Sequence, residues 1–183
     1  VDSPGVIDDM KNLIAVVFFV AVCPSRSFAQ PDNKIMAIRQ MVTAINTRSG
    51  YKVKTLDNDY FEDKYGETPD NGIGLKGYYQ NKDLKKMVYS VGLSNSMKTY
   101  EFYLSGPDLI FVFQKEQDYP ATAAGGLDYS KLVPAQEVRY YFDGQKIIKT
   151  ITKGKGRPGG IEQGDLLSTF NDLKKDLGNY NGK

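Results

Sequence analysis

YEFYLSGPDLIFVF, residues 100–113, is an aromatic-rich β-strand, a Ser-Gly-Pro-Asp turn and a second apolar strand in sequence form. Two other stretches repeat its template: LKGYYQNKDLKKMV (75–88) turns at Gln-Asn, and VRYYFDGQKIIKTI (138–151) turns at Asp-Gly. An apolar residue follows the turn at the same place in each, at Leu84, Leu109 and Ile147. Strand formers on either side of a tight polar turn are the mark of a β-hairpin. Segments adjacent in the chain usually neighbour one another in space, so three hairpin repeats predict one antiparallel β-meander of about six strands.

Side chains alternate between the two faces of a strand, so the repeat also predicts faces. Tyr100, Phe102 and Leu104 share one face with Val138, Tyr140 and Phe142, and with Leu75, Gly77 and Tyr79, and this set is the expected core. The opposite face carries Tyr78, Tyr103 and Tyr141 at equivalent positions, flanked by Glu101 and Arg139. Such a ladder reads in two ways, as a platform for a ligand or as cross-strand pairs that each stabilise the sheet by up to about 1 kcal/mol. The segment YPATAAGGLDYSKLVPA (119–135) separates the second and third hairpins as a long surface excursion. Loops of that length in a compact domain are often functional. Its Tyr119 and Tyr129 join Tyr78, Tyr103 and Tyr141 as the candidate ligand-binding residues.

Helices flank the meander. Ile35, Ile38, Val42 and Ile45 recur at helical spacing from Asp32, a plausible N-cap, to Arg48, with Gly50 as the stop. At the other end DLLSTFNDLKKDLG (165–178) has Asp165 as cap, an apolar stripe of Leu166, Leu167, Phe170, Leu173 and Leu177, and Gly178 to end it. Tyr51, Val53 and Thr55 alternate with polar residues like a short strand, and LDNDYFEDKYGETPDNG (56–72) reads as a solvated acidic loop. Its carboxylates miss the spacing of a calcium-binding loop. TKGKGRPGG (152–160) lacks the spacing of a phosphate-cradling loop and reads as a flexible connector. The expected fold class is α+β, with the N-terminal and C-terminal helices both covering the face of Phe102, Leu104, Tyr140 and Phe142, because neither helix nor sheet can hide its apolar side alone.

Ahead of this domain, MKNLIAVVFFVAVCPSRSFAQ (10–30) has the parts of a secretory signal peptide. Lys11 gives the positive start, Leu13 to Cys23 the apolar run, and Ser27 and Ala29 the small residues before a cleavage point at Gln30. The run is about half of the roughly 20 residues that a membrane-spanning helix needs, which argues against an integral span. A lipoprotein box wants a small residue immediately before its cysteine, whereas Val22 precedes Cys23. The division is therefore an upstream extension (1–9), a signal peptide (10–29) and a single domain (30–183), exported to the periplasm or the medium.

Composition narrows the chemistry. The chain has no His, and its one Cys lies in the expected leader. Metal and haem sites built on imidazole or thiolate are thereby disfavoured, Ser-His-Asp and Cys-His catalysis lack their base, and no cofactor is implied. A net charge of +2 is too small to argue for nucleic acid.

The stretches GYYQNKDLKKMVYSVG (77–92), YEFYLSGPDLIFVFQKEQ (100–117) and EVRYYFDGQKIIK (137–149) resemble a group of small exported proteins of unknown function from Gram-negative bacteria with repeated YYFDG-type hairpins. The resemblance implies an envelope protein and brings no activity with it. The expected function is a non-enzymatic module binding a protein or glycan partner in the cell envelope, with the 13 tyrosines supplying contact area. The alternative is a glycan hydrolase using a carboxylate pair such as Glu101 and Glu137, which needs no His. A third reading is an accessory that pairs an exposed sheet edge with a partner strand, with Lys82, Lys85 and Lys86 guarding that edge.

Overall fold

Seven strands pair in chain order, each antiparallel to the next, in a single sheet. The structure, a computed structural model, describes residues 31–66, 68–156 and 161–180. The expected upstream extension and signal peptide, and Arg157 of the glycine-rich stretch, lie outside the described residues. Along the chain come α1 (Pro31–Thr47), β1 (Lys52–Leu56), α2 (Asn58–Tyr65), β2 (Ile73–Gln80), β3 (Asp83–Gly92) and β4 (Ser96–Ser105). β5 (Asp108–Asp118), β6 (Val133–Asp143), β7 (Lys146–Gly154) and α3 (Leu166–Asn179) complete it, in an α+β arrangement. The sheet has one strand more than the expected six because β1 extends it beyond the first hairpin.

The pairs β2–β3, β4–β5 and β6–β7 fall on the three repeated stretches, and each closes through two residues, of which the first has left-handed φ: Asn81 at 57°, Gly106 at 60° and Gly144 at 58°. Positive φ at the first position alone is the φ pattern of a type II′ turn, whose twist suits a hairpin. Each pair then carries one extra residue on its second strand, at Lys85, Ile110 and Ile148. Such a bulge bends and twists the strand that holds it. Because it recurs at the same template position, Tyr78, Lys86, Tyr103, Phe111, Tyr141 and Lys149 form one row across the sheet.

The expected core face is the one that packs most. Leu75, Tyr100, Phe102, Leu104, Val138, Tyr140 and Phe142 are buried together with Leu166, Phe170, Leu173 and Leu177 of α3 and Phe61 of α2. α3 approaches β2 closely: a Cβ on Gly77 would stand 2.7 Å from Leu177 Cδ1, so any side chain there would push the buried Leu177 aside.

The helix placement needs correction. α1 lies on the opposite face, where Ile35 and Ile38 bury themselves against Tyr103, Ile110, Phe111 and Tyr141. The reason is legible in Leu109 to Phe113 of β5, an unbroken apolar run with side chains of both parities, so the centre of the sheet needs cover on both faces. Three local readings also change. The acidic loop contains α2, with the Asp57 side chain accepting from the Tyr60 amide at 3.3 Å and Gly66 closing the helix in the left-handed region. β7 runs into the supposed connector as far as Gly154. α3 continues through Gly178 to Asn179, and Asp165 makes no side-chain capping bond.

Burial of tyrosine hydroxyls makes this fold sensitive to alkali. Desolvation raises the pKa of Tyr79, Tyr89, Tyr100, Tyr103 and Tyr140, and pushes Tyr89 up to about 12. In the unfolded chain tyrosine ionises near about pH 10, so above that pH the unfolded state releases protons that the folded state keeps. Stability is thus intact below about pH 10 and falls as pH rises toward about 12. Urea denaturation across this range is expected to show a midpoint falling steeply above about pH 10, and a flat midpoint would contradict it.

Candidate functional site

The five tyrosines singled out from sequence do not gather into one surface. Tyr103 and Tyr141, each 2% exposed, lie beneath α1, so the expected exposed platform is not present at these positions. Their hydroxyls are satisfied in part by α1 itself, through Asn46 and Arg39. The Tyr103 hydroxyl bonds the Glu101 carboxylate and lies 3.0 Å from Asn46 Oδ1, and Lys86 sits 4.8 Å from the centre of its ring. Arg39 Nε donates to the Tyr141 hydroxyl at 3.2 Å. Tyr78, half-buried at the flank of α1, meets Tyr51 edge to face with centroids 6.1 Å apart. The repeat placed the three rings in one row correctly, and it held no information on what covers that row.

Tyr119 and Tyr129 belong together. Their ring centroids are 4.9 Å apart, the Tyr119 amide donates to Asn95 O at 3.1 Å, and the Tyr129 hydroxyl donates to Ser94 O at 3.2 Å. These contacts pin the excursion to the β3–β4 turn. Within it Asp128 accepts from the Ser130 amide and pairs with Lys131 at 2.8 Å, and these partners lower its carboxyl to about 2. Tyr119 is buried, whereas Tyr129 stays 57% exposed beside exposed Leu132 and Val133.

Glu101 and Glu137, the carboxylate pair considered for hydrolysis, project from the face that α1 packs on, on strands separated by β5. Lys86 holds Glu101 at 2.6 Å and Arg139 holds Glu137 at 2.9 Å. A catalytic pair drawn from them gains no support. The edge reading also moves: β3 is an interior strand, so Lys85 and Lys86 guard no edge, and the outer strands are β1 and β7.

A concave site lies elsewhere, between α2 and the C-terminal half of α3, in a cleft of about 1270 Å³. Asp57, Asp59, Tyr60, Asp63, Lys64 and Tyr65 line one wall, and Asp172, Lys175, Asp176, Asn179 and Tyr180 the other. The helices meet there because Phe61 of α2 and Leu173 and Leu177 of α3 enter the same core, which leaves their polar flanks facing across a gap. Tyr60 and Tyr180 contact edge to face with centroids 5.6 Å apart. Tyr65 is 58% exposed. Lys64 and the buried Asp176 form an ion pair that ties the walls together. Burial works against the Lys64 ammonium, but hydrogen bonds to Asp176 and Tyr65 outweigh it and hold its pKa above the ordinary lysine value. Burial, and after it the Asp176 charge, raises the Tyr60 hydroxyl.

Aromatic faces, carboxylates and an amide in one open cleft make a recognition surface, with flat contact area for a ligand body and acceptors for its donors. Sequence reasoning missed it because residues 57–65 read as a loop and residues 172–180 as a helix with only its apolar stripe assigned. Among the described residues no helix is long and apolar enough to cross a membrane, and no three acidic side chains converge to hold a metal ion. No protein-family model, curated protein or solved structure matches this chain.

Proposed function

We propose that this protein is an exported cell-envelope module that binds a protein or glycan partner without chemistry of its own, and that the ligand is received in the α2–α3 cleft. Export rests on Lys11, the apolar run Leu13–Cys23 and the Ser27-Phe28-Ala29 cleavage signal. The cleft carries the binding half, because it is where exposed tyrosine, clustered carboxylates and a concave shape coincide. Ligand sites are commonly such concavities with a few convergent polar groups.

The test is paired. Wild type and Tyr65→Ala are used as bait against envelope extract and on a glycan array, and the mature N-terminus of the native product is sequenced. Wild type should retain a ligand, Tyr65→Ala should bind about tenfold more weakly, the loss of one aromatic contact worth about 1.4 kcal/mol. Its stability should fall by only about 1 kcal/mol, since the ring is 58% exposed and its stacking partner is Phe61, with centroids 6.2 Å apart. The native product should begin at Gln30 outside the cytoplasm. A flat array together with an empty pull-down removes the binding half, and a cytoplasmic product that begins at Met10 removes the export half.

A further inference from the structure

The sheet ends on two unlike edges. β1 has five residues, and its Lys54 ammonium is tied to the Leu177 carbonyl of α3. β7 has nine, KIIKTITKG from Lys146 to Gly154, and contains no proline. Past its one bulge, Lys149 to Gly154 pair in regular register with β6, and all of them but the half-buried Ile151 are exposed. The described chain leaves this edge open. After Gly154 the Lys155 amide donates to Ala135 O at 3.2 Å, and Gly156 lies against the side chains of Gln136 and Glu116, so the backbone departs over the sheet. An edge strand turns alternate N–H and C=O groups outward, where another strand can pair with them.

The edge is also cationic. Lys146, Lys149 and Lys153 of β7 and Lys155 just beyond it are all exposed, and the strand has no Asp or Glu. The nearby carboxylates are already paired, Asp143 with Lys34 and Glu137 with Arg139 at 2.9 Å. Lys149, Ile151 and Lys153 stand opposite Tyr141, Arg139 and Glu137 of β6, on the face that α1 packs on. Beside this row a groove of about 520 Å³ opens between α1 and β7, lined by Arg39, Val42, Arg139, Tyr141 and Ile151.

Lysines on an edge commonly keep like strands apart. Here they do so selectively. Were β7 to pair antiparallel with a second copy about Ile151, each Lys149 would face a Lys153 on the same side of the joined sheet, and like charges directly opposite destabilise a pair. A strand with acids at those positions gains from the charges that repel a second copy.

We propose that β7 takes an acidic, extended segment of a partner protein as an eighth strand of the sheet. Its alternate side chains fall beside Lys149, Ile151 and Lys153, so the matching segment carries an acid, an apolar residue and an acid at every second position. Arg39 and Arg139 stand behind this row in the groove and add to the attraction. Main-chain hydrogen bonds hold such a strand, and its alternating side chains select it. The surface is separate from the α2–α3 cleft and does not depend on a ligand there.

The test is an NMR titration of the folded chain with four probes. They are a blocked peptide Thr-Glu-Thr-Val-Thr-Glu-Thr, its counterpart with lysine for glutamate, the acidic peptide with Pro-Pro for its central Val-Thr, and a sulfated chitotetraose. Adjacent residues of a strand point their N–H groups to opposite sides, so two prolines remove a donor from whichever side meets β7 and keep the charge. The acidic peptide should shift the amides of Lys149 to Gly154 saturably, slow the hydrogen exchange of the outward ones, and bind severalfold more weakly as salt screens the charges. Lys149→Gln with Lys153→Gln, both exposed positions, should weaken it about tenfold while leaving the rest of the spectrum in place. Equal binding by the Pro-Pro peptide shows charge without strand pairing, equal binding by the lysine peptide shows pairing without charge, and either overturns the inference. So do β7 amides that the acidic peptide leaves unmoved, or that move with the protein's own concentration, which makes a second copy the occupant. Shifts produced by the sulfated chitotetraose and not by the acidic peptide give the groove to an anionic glycan and overturn it as well.

Discussion

Tyr103→Ala is expected to lower folding stability by about 3–5 kcal/mol, the range for truncating a large buried aromatic. The ring is 2% exposed and is held between α1 and the middle of the sheet, with Ile35, Ile38 and Phe111 in the same cluster. Truncation leaves a cavity beneath α1, whose Ile35 and Ile38 rest on Phe111 and Tyr141 as well and so do not simply settle into the gap. It also strips a partner from Glu101 and Asn46, which both meet the phenol oxygen. Urea denaturation measures the loss directly, and Tyr103→Phe separates its parts, keeping the packing and giving up only the hydroxyl, at about 1 kcal/mol. A Tyr103→Ala protein within about 1 kcal/mol of wild type would mean that α1 does not rest on this row and that the ring is free for another use.

Lys98→Met is the second large effect. Lys98 and Glu116 are direct cross-strand partners on β4 and β5, with Nζ and Oε2 3.6 Å apart and side chains 2% and 1% exposed. They belong to a polar end of an otherwise apolar face: Ser96 and Gln114 are buried nearby, the Tyr140 hydroxyl donates to Gln114 at 3.3 Å, and the Ile161 amide donates to the Tyr100 hydroxyl at 2.8 Å. Methionine matches the apolar stem of the lysine and removes the ammonium, its charge together with its three donors. Taking one member from a buried ion pair costs up to about 3–5 kcal/mol, because the remaining charge loses that part of its compensation while staying desolvated. The denaturant midpoint should fall with the slope unchanged. A loss under about 1 kcal/mol would show that Glu116 does not depend on this ammonium.

Alternation made the core face legible, since Tyr100, Phe102 and Leu104 and their counterparts point inward as a period of two requires. The three-fold template also aligned the turns and the tyrosine row. It failed on α1 because an amphipathic helix announces that it has an apolar stripe and not which surface receives it. The only pointer was the double-faced run Leu109 to Phe113. α2 was hidden by its own charge: Asp57, Gly66 and Phe61 are a cap, a stop and an anchor, yet the acidic residues between them dominate the composition. The cleft was invisible for a different reason, since its walls stand more than a hundred residues apart in the chain and meet only through Phe61, Leu173 and Leu177.

The unbroken strand order has a kinetic consequence. Every pairing in the sheet joins chain neighbours, so each hairpin can close as soon as it is available, with little loop entropy to overcome, and low contact order goes with fast folding. α1 is the exception, because it precedes the sheet in the chain and must wait for β4, β5 and β6 before Tyr103, Phe111 and Tyr141 exist as a surface to land on. Until then its apolar stripe, Ile35 and Ile38, stays exposed to water, and it is covered only when the sheet is complete.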